Sequence, residues 1–221
     1  MSARDDILGT IRRSLGVTGQ EAPRRSIVEN RLAQAPRGVI PQRGQLDPQA
    51  RAALFRTMAE AALATVEEVE SLDKVPAAVA EYLRRGNLPA RARVGEALAG
   101  LPWGETTLEV GTGPSDGRDL IAVNRAFAGA AETGSIALVS GPDSPTTLNF
   151  LPDYAIAVLR ESEIAGDYES VWDRIRERYG KGTMPRTLNW ITGPSRSADI
   201  EQTMLLGAHG PRSLHILVVK D

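Results

Sequence analysis

Short runs of continuous apolar residues are the feature that most constrains how this chain can fold. Two such runs lie at 136–139 and 216–219. A strand that is apolar at every position must be covered on both faces, as in a parallel sheet flanked by helices. Helical patterns alternate with these runs, notably at 73–85 and 167–179. The sequence therefore predicts an α/β fold in three layers, α/β/α, with a largely parallel sheet.

The apolar runs and turn signals also locate the individual strands. Strands are expected at 65–70, 91–94, 106–110, 120–123, 135–139, 155–159, 187–192 and 214–219. The alanine-rich segment 125–131 is expected to form a helical turn. In parallel sheets, ligands bind beyond the carboxyl ends of the strands, so a site is expected there.

Two regions, 1–46 and 47–221, are predicted from the helix and linker signals. Ser2 and Asp5 resemble a capping box that starts a short helix, and Gly16 ends it. Residues 17–46 show prolines and no periodicity, which indicates an extended linker or arm. That arm is either an ordinary tail or a device that packs its helical tip on a neighbouring subunit in a homo-oligomer. The α/β domain begins with Asp47 as N-cap and Pro48 in the first turn.

Composition excludes several classes of function. The chain has 28 acidic and 26 basic residues, so its net charge is close to zero and gives no electrostatic attraction to nucleic acid. The chain has no cysteine, so it cannot hold a cofactor or an iron–sulfur cluster through thiolates. No stretch approaches the roughly 18 apolar residues of a membrane span, and the charged N-terminus lacks a signal-peptide pattern. We therefore expect a cytoplasmic protein.

A Gly-Pro-Ser-Arg turn at 193–196 follows an apolar strand and is typical of an anion site. Gly193 would allow the turn, while Ser195 and Arg196 would bind a carboxylate or phosphate. Asp199 would orient the guanidinium. The alternative is an ordinary surface turn in which Arg196 pairs with Asp199, a contact of roughly 0–1 kcal/mol.

The run 132–135 precedes another apolar strand and offers a carboxylate and two hydroxyls. Glu132 could act as a general base or a nucleophile, and Thr133, Gly134 and Ser135 would contact the substrate. The alternative is structural: Glu132 would bind backbone N–H groups, and Gly134 would adopt positive φ.

Two histidines and one serine complete the candidates. His209 lies between small residues in a loop and could transfer a proton near neutral pH, whereas His215 lies in an apolar strand. Their spacing fits no metal motif, so no metal site is expected. Ser115 lies in a G-x-S-x-G match, the nucleophile elbow of α/β-hydrolases, but an extended segment follows it where that elbow requires a helix.

Four ordered motifs together resemble the LUD-domain family, and within it the lactate-utilisation protein C group. They are AETGS at 131–135, LPDY at 151–154, GPSRSADIE at 193–201 and GAHGP at 207–211. The resemblance implies a three-layer fold similar to the superfamily of ribose-5-phosphate isomerase, glucosamine-phosphate deaminase and CoA-transferases. It also implies a role in oxidising L-lactate to pyruvate with two iron–sulfur partners, lactate-utilisation proteins A and B.

These observations lead to one main hypothesis and two alternatives. The main hypothesis is a substrate-handling or accessory subunit with a small-carboxylate site. The alternatives are a free-standing enzyme acting on an acyl-CoA, a sugar phosphate or a folate, and a non-catalytic scaffold. Neither flavin nor nicotinamide binding follows from the sequence.

Overall fold

A computed structural model describes residues 2–198, 204–207 and 209–220. The α-helices of these residues are α1 Ala3–Leu15, α2 Ala22–Gln34, α3 Pro48–Ala61, α4 Val75–Arg85, α5 Thr146–Phe150 and α6 Tyr168–Tyr179. The strands are β1 Thr65–Val69, β2 Arg91–Val94, β3 Glu109–Thr112, β4 Ile121–Arg125, β5 Ala128–Ala130, β6 Ser135–Val139, β7 Tyr154–Arg160, β8 Ile164–Ala165, β9 Leu188–Ile191, β10 Arg196–Ala198, β11 Met204–Leu206 and β12 Ser213–Val219.

A six-stranded sheet in the order β1-β12-β7-β4-β2-β3 forms the centre of the fold, and all its pairs are parallel. Its middle strands β4, β7 and β12 are largely apolar, and most of their residues are buried. The apolar run at 216–219 lies in β12, whereas the run at 136–139 lies outside this sheet, in β6. The predicted α/β class and the largely parallel sheet are therefore confirmed.

The two faces of this sheet are covered differently. Helix α4 covers one face, where Val79 and Leu83 pack in a cluster with Leu217. On the other face, Phe55 and Ala59 of α3 pack in a cluster with strand residues of β7, β12 and β6. Strand β6 belongs to a second sheet of four strands, in the order β8-β5-β6-β9. This second sheet, which the sequence pattern did not predict, shares the covering of that face with α3.

The expected helical turn at 125–131 is wrong, because Ala128–Ala130 form strand β5, antiparallel to β6. Tight packing between the layers explains the small residues of this strand. A Cβ atom at Gly129 would lie 2.9 Å from side-chain atoms of both Leu159 and Phe55. The Ala-Gly-Ala run therefore reflects the close approach of sheet and helix and not helix propensity.

The N-terminal region is helical over more of its length than predicted. Helix α1 has the expected capping box of Ser2 and Asp5 and ends at Gly16 in the left-handed conformation. Within the arm, however, Ala22–Gln34 form α2, and Pro23 occupies its first turn, where proline is favoured. The remaining residues of α2 include no glycine and many good helix formers. Neither helix has a buried residue, and contact of this arm with another subunit stays a prediction.

The segment that joins α2 to α3 lies against the start of α6. The N–H of Gly38 donates to Glu169 Oε1 at 3.0 Å, and Gln45 Nε2 donates to Asp167 Oδ2 at 2.8 Å. Asp167 is also the N-cap of α6 and accepts the N–H of Ser170 at 2.8 Å. The segment is therefore tied to the domain before α3 begins at its predicted N-cap, Asp47. The division at residue 46 itself stays a prediction.

Candidate functional site

A cavity of about 390 Å³ lies between the two sheets. On the six-stranded sheet its wall includes Ala122 of β4, Ala155 of β7 and Leu214 of β12, which are neighbours in the strand register. The next row along the strands contributes Asn124 and Ala157, which also pair in register. The three alanines leave space in the middle of this wall because their side chains end at Cβ.

The opposite wall comes from the second sheet and is also apolar. Ile136 and Leu138 of β6 and Ile191 of β9 line the cavity there. Both β6 residues are buried, whereas Ile191 is half-buried. Apolar side chains thus form most of the interior, as is usual for small-molecule sites.

The cavity lies near the amino ends of the parallel strands. Phe150 stands shortly before β7, and Gly210 and Pro211 stand just before β12; all three line the cavity. The sequence-based expectation of a site at the carboxyl ends is therefore wrong for this cavity. The second sheet explains the difference, because it covers the middle of the face and encloses the space above the alanines.

Two of the predicted motifs meet at the mouth of this cavity. The N–H of Ser195 donates to the carbonyl of Pro211 at 2.8 Å, and the N–H of Gly207 donates to the carbonyl of Ser195 at 3.0 Å. Strand β10, which begins at Arg196, pairs with β11 to form a hairpin between the motifs. As a result, four predicted residues line the cavity together: Gly193, Ser195, Arg196 and His209. Arg196 and His209 are exposed, so they occupy the solvent side.

Gly193 is required by the backbone at this point. Its φ is +68°, and a Cβ atom there would collide with the carbonyl oxygen of Ala62, just beyond α3. A residue with a side chain would meet both the penalty for positive φ and a backbone clash. The turn that presents Ser195 and Arg196 thus depends on glycine.

The other motif forms a separate cluster beneath the cavity. Glu132 is buried, and its Oε1 accepts the N–H of Tyr168, the first residue of α6, at 2.9 Å. The N–H of Glu132 donates to the carbonyl of Gly166 at 3.1 Å. Glu132 is not among the residues that line the cavity. These contacts match the structural alternative for Glu132, while its role in proton transfer stays a prediction.

Thr133, Gly134 and Ser135 also lie outside the cavity lining. Gly134 has a φ of +66°, and a Cβ atom there would collide with the backbone nitrogen of Ala59 in α3. The hydroxyls of Thr133 and Ser135 form a cluster with those of Tyr168 and Thr192, with oxygen–oxygen distances from 2.6 to 2.9 Å. Because Thr192 lines the cavity, this cluster reaches the site through one residue.

Two buried amides line the cavity and were not predicted from the sequence. Asn124 Nδ2 donates to Ser144 Oγ at 2.8 Å and to Asn149 Oδ1 at 2.6 Å. Asn149 is 3% exposed, and its Nδ2 has no hydrogen-bond partner among the described residues. A buried donor without a partner is costly, which makes this amide a candidate to contact a ligand. The only sequence signal is a polar residue, Asn124, directly after the apolar run 120–123.

The remaining candidates lie elsewhere. His215 faces α4 on the other side of the sheet, where its ring stacks on Tyr82 at 4.1 Å. Burial lowers the pKa of His215 to about 4, and the nearby charge of Arg85 lowers it further. Ser115 is buried in the loop between β3 and β4, and a strand follows it where a nucleophile elbow would have a helix. Asp199 lies outside the described residues, so its predicted contact with Arg196 stays a prediction.

The described part of the chain offers neither a cluster of metal ligands nor a membrane-spanning helix. In residues 2–198, 204–207 and 209–220, no group of three or more histidine or acidic side chains could hold a metal ion. No helix in these same ranges has both the length and the apolar character needed to cross a membrane.

Comparison with known proteins agrees with the motifs. Residues 120–219 match the family model of the LUD domain. Lactate utilization protein C of Bacillus subtilis (strain 168) is 38% identical over 92 residues, which cover 41% of this chain and 38% of that protein. The same-named protein of Shouchella clausii (strain KSM-K16) is 36% identical over 91 residues, covering 41% of this chain and 40% of that protein. The YkgG protein of Escherichia coli (strain K12) is 33% identical over 94 residues, covering 42% and 41% respectively.

The matched segment spans about two fifths of the length of these curated relatives. A solved structure extends the fold comparison. It is a DUF162 family protein from Deinococcus radiodurans, similar with a TM-score of 0.60 at 24% identity, over 79% of this chain and 99% of that one. The matched LUD segment includes β4, β6, β7 and β12 together with both mouth loops of the cavity. Residues 120–219 of this chain therefore match the LUD domain, and this part of the chain is similar to lactate utilization protein C and YkgG.

Proposed function

We propose that this chain is the C-like component of a system that oxidises L-lactate to pyruvate, and that its cavity binds the small carboxylate substrate. One observation carries the proposal: Ser195, Arg196 and His209 converge at the mouth of an otherwise largely apolar cavity. A guanidinium can hold a carboxylate through two parallel hydrogen bonds. The apolar interior would receive the carbon chain of the same acid.

The residues at the mouth would have separate roles in binding the acid and in proton transfer. Arg196 would bind the carboxylate, and the Ser195 hydroxyl could donate to one of its oxygens. His209 stands on the facing loop, and an imidazole there could take or give a proton near neutral pH. Glu132 would have a supporting role, because its carboxylate is occupied by the N–H of Tyr168 and anchors α6.

The size of the cavity widens the range of acids to be tested. At about 30 Å³ per water molecule, 390 Å³ corresponds to on the order of ten waters. Lactate has fewer non-hydrogen atoms than that. Longer 2-hydroxy acids would therefore also fit, with their side chains against Ala122, Ala155 and Leu214.

Partner proteins would carry the electrons. The chain has no cysteine, so it cannot ligate an iron–sulfur cluster through thiolates. Iron–sulfur partners such as lactate-utilisation proteins A and B would accept the two electrons removed from lactate. The substrate site of this chain would then supply or position lactate.

A cytoplasmic location of the protein also stays a prediction.

A scaffold role is the second candidate, and one observation favours it. Helices α1 and α2 expose apolar side chains at Ile7, Ile11, Leu15, Ile27, Val28 and Leu32. These side chains could bind a partner or a second copy of the chain. Deleting residues 1–46 should abolish co-purification with the iron–sulfur proteins if this role is correct, and should leave carboxylate binding intact if the cavity is independent of the arm.

Calorimetric titration tests the carboxylate site. L-Lactate and 2-hydroxy-4-methylpentanoate would be titrated into the wild type and the Arg196→Ala variant. A hydrogen bond to a charged group contributes about 1.5–3 kcal/mol, so the variant should bind about 10- to 150-fold more weakly. Its melting temperature should stay nearly unchanged, because Arg196 is exposed.

The matched control is Arg212→Ala. Arg212 is also exposed and lies in the same loop region, but it is not among the residues that line the cavity. Its Nη1 lies 3.9 Å from Asp153 Oδ2. Equal affinity of wild type and Arg196→Ala, or an equal loss in Arg212→Ala, would contradict the proposed site.

A further inference from the structure

Four hydroxyl groups next to the cavity form a hydrogen-bonded cluster in which the number of contacts equals the number of protons. Thr133 Oγ1 lies 2.8 Å from Ser135 Oγ and 2.9 Å from the Tyr168 hydroxyl oxygen. Ser135 Oγ lies 2.7 Å from the Tyr168 hydroxyl and 2.6 Å from Thr192 Oγ1. Each of these four contacts needs one proton, and each of the four hydroxyls has one proton to donate.

The direction of every bond follows from one geometric constraint together with this count of protons. Between Thr133 and Tyr168, only donation from Thr133 has acceptable angles. Tyr168 must then donate to Ser135, its other partner. Since the proton of Thr133 is already used, the Thr133–Ser135 contact takes the proton of Ser135. The last contact, between Ser135 and Thr192, can only receive the proton of Thr192.

The surroundings hold the cluster in this arrangement. Ser135 has no exposed surface, so its hydroxyl cannot turn to water instead. The Tyr168 ring packs edge-on against Trp190 at 4.6 Å, and its backbone N–H is bound by Glu132. Thr192 is the member of the cluster that lines the cavity. Its proton points inward to Ser135, so its oxygen offers only lone pairs to a ligand.

We propose that Thr192 is a specificity-determining residue that makes the site prefer a 2-hydroxy acid over the corresponding 2-oxo acid, with Tyr168 as a positioning residue. The inference rests on the proposed carboxylate site. With the carboxylate on Arg196, the 2-hydroxyl of the ligand donates to Thr192 Oγ1. A 2-oxo group has no proton and would set its lone pairs against those of Thr192.

Competition between matched acids tests this inference. The affinities of L-lactate and pyruvate, and of 2-hydroxy- and 2-oxo-4-methylpentanoate, are measured by calorimetry on the full chain. In the wild type, each hydroxy acid should bind about 3- to 10-fold more tightly than its oxo partner, the range of one net hydrogen bond. Thr192→Val should bring the ratio close to one, whereas Thr192→Ser, which keeps the hydroxyl, should retain it.

Tyr168→Phe tests the positioning role without altering Thr192. Without the tyrosine hydroxyl, Thr133 loses its acceptor and can donate to Ser135 instead. Ser135 is then free to donate to Thr192, so Thr192 can donate to a ligand. The oxo acids should bind more tightly to this variant, and the ratio should fall. A merely structural tyrosine would weaken both acids equally. Thr187→Val is the matched control for Thr192→Val, because Thr187 precedes β9 and is not among the cavity-lining residues.

The outcomes separate this inference from the function on which it rests. Binding of both acids with equal affinity, or a preference for the oxo acid, would overturn the role of Thr192 and leave the carboxylate site standing. A preference for the hydroxy acid that persists in Thr192→Val would also overturn the role of Thr192 and leave the carboxylate site standing. If the wild type binds none of the four acids, the carboxylate site is wrong and the inference fails with it.

Discussion

The buried histidine on the other face of the sheet makes the stability of the protein depend on pH. His215 is 3% exposed, stacks on Tyr82 at 4.1 Å and has its Nδ1 2.7 Å from Thr65 Oγ1. Its Nε2 has no hydrogen-bond partner among the described residues. Burial, with a contribution from Arg85, lowers the pKa of His215 from 6.5 to about 4. The folded protein therefore holds this imidazole neutral where the unfolded chain would protonate it.

The size of the effect follows from the two pKa values of His215. Between them the unfolded state binds more protons, so the free energy of unfolding falls as the pH is lowered. At 1.36 kcal/mol per pKa unit, the full loss is about 3 kcal/mol once the pH is below about 4. Between about pH 8 and about pH 5, His215 alone should remove about 2 kcal/mol.

Urea unfolding at a series of pH values measures this loss. The range above about pH 5 avoids most of the titration of ordinary carboxylates. His215→Phe keeps an aromatic ring beside Tyr82 and removes the titration, so its free energy of unfolding should fall about 2 kcal/mol less over the same range.

The control is His209→Gln, which replaces the other histidine of the chain, an exposed one, and so separates an effect of His215 from one of His209. A wild-type free energy that stays flat over this range, or a flat profile in His209→Gln, would refute the reasoning.

Substitutions at Gly193, Glu132 and Asp167 test other parts of the structure by urea or thermal unfolding, with Gly104 as a control position. Gly193→Ala should cost about 2–4 kcal/mol, from positive φ and the clash with the Ala62 carbonyl, whereas Gly104→Ala, where a Cβ meets nothing within 4 Å, should cost less than about 1 kcal/mol. Glu132→Gln keeps an oxygen for the Tyr168 N–H and should cost less than about 1 kcal/mol, while Glu132→Ala should cost about 1–3 kcal/mol. A folded Glu132→Gln protein that turns over no substrate would instead support the catalytic role of Glu132. Asp167→Ala removes the N-cap of α6 and should cost about 1–2 kcal/mol, and an unchanged midpoint would contradict that capping role.

Local signals predicted the elements whose structure is decided locally. The start of α3 at Asp47-Pro48 and the end of α1 at Gly16 follow from capping chemistry, which acts within one helical turn. The strand at 135–139 was predicted with the bounds that the structure has, because an apolar run buried on both faces leaves few alternatives.

Elements set by tertiary packing were not predictable in the same way. The segment 125–131 is rich in alanine, a good helix former, but the close approach of Gly129 to Leu159 and Phe55 requires a strand with small side chains. The second sheet joins β5, β6, β8 and β9 from distant parts of the chain. No short window of sequence contains that pairing.

The same distinction applies to the candidate site. The turn at 193–196 and the loop at 207–211 were singled out because glycine, arginine and histidine are informative residue types in loops. Asn124 and Asn149 were missed because they matter only once β4 and α5 come together. Glu132 likewise lies outside the cavity lining and binds the N–H of Tyr168 at the start of α6. This contact joins segments that are distant in sequence, so it could not be predicted from the motif.

A crystal structure of the protein with a bound 2-hydroxy acid tests the central claim most directly. We expect the acid in the cavity between the two sheets, with its carboxylate on the Arg196 guanidinium and its hydroxyl within hydrogen-bond distance of Thr192 Oγ1. An acid bound elsewhere, or a carboxylate in the cavity that does not contact Arg196, would contradict the claim.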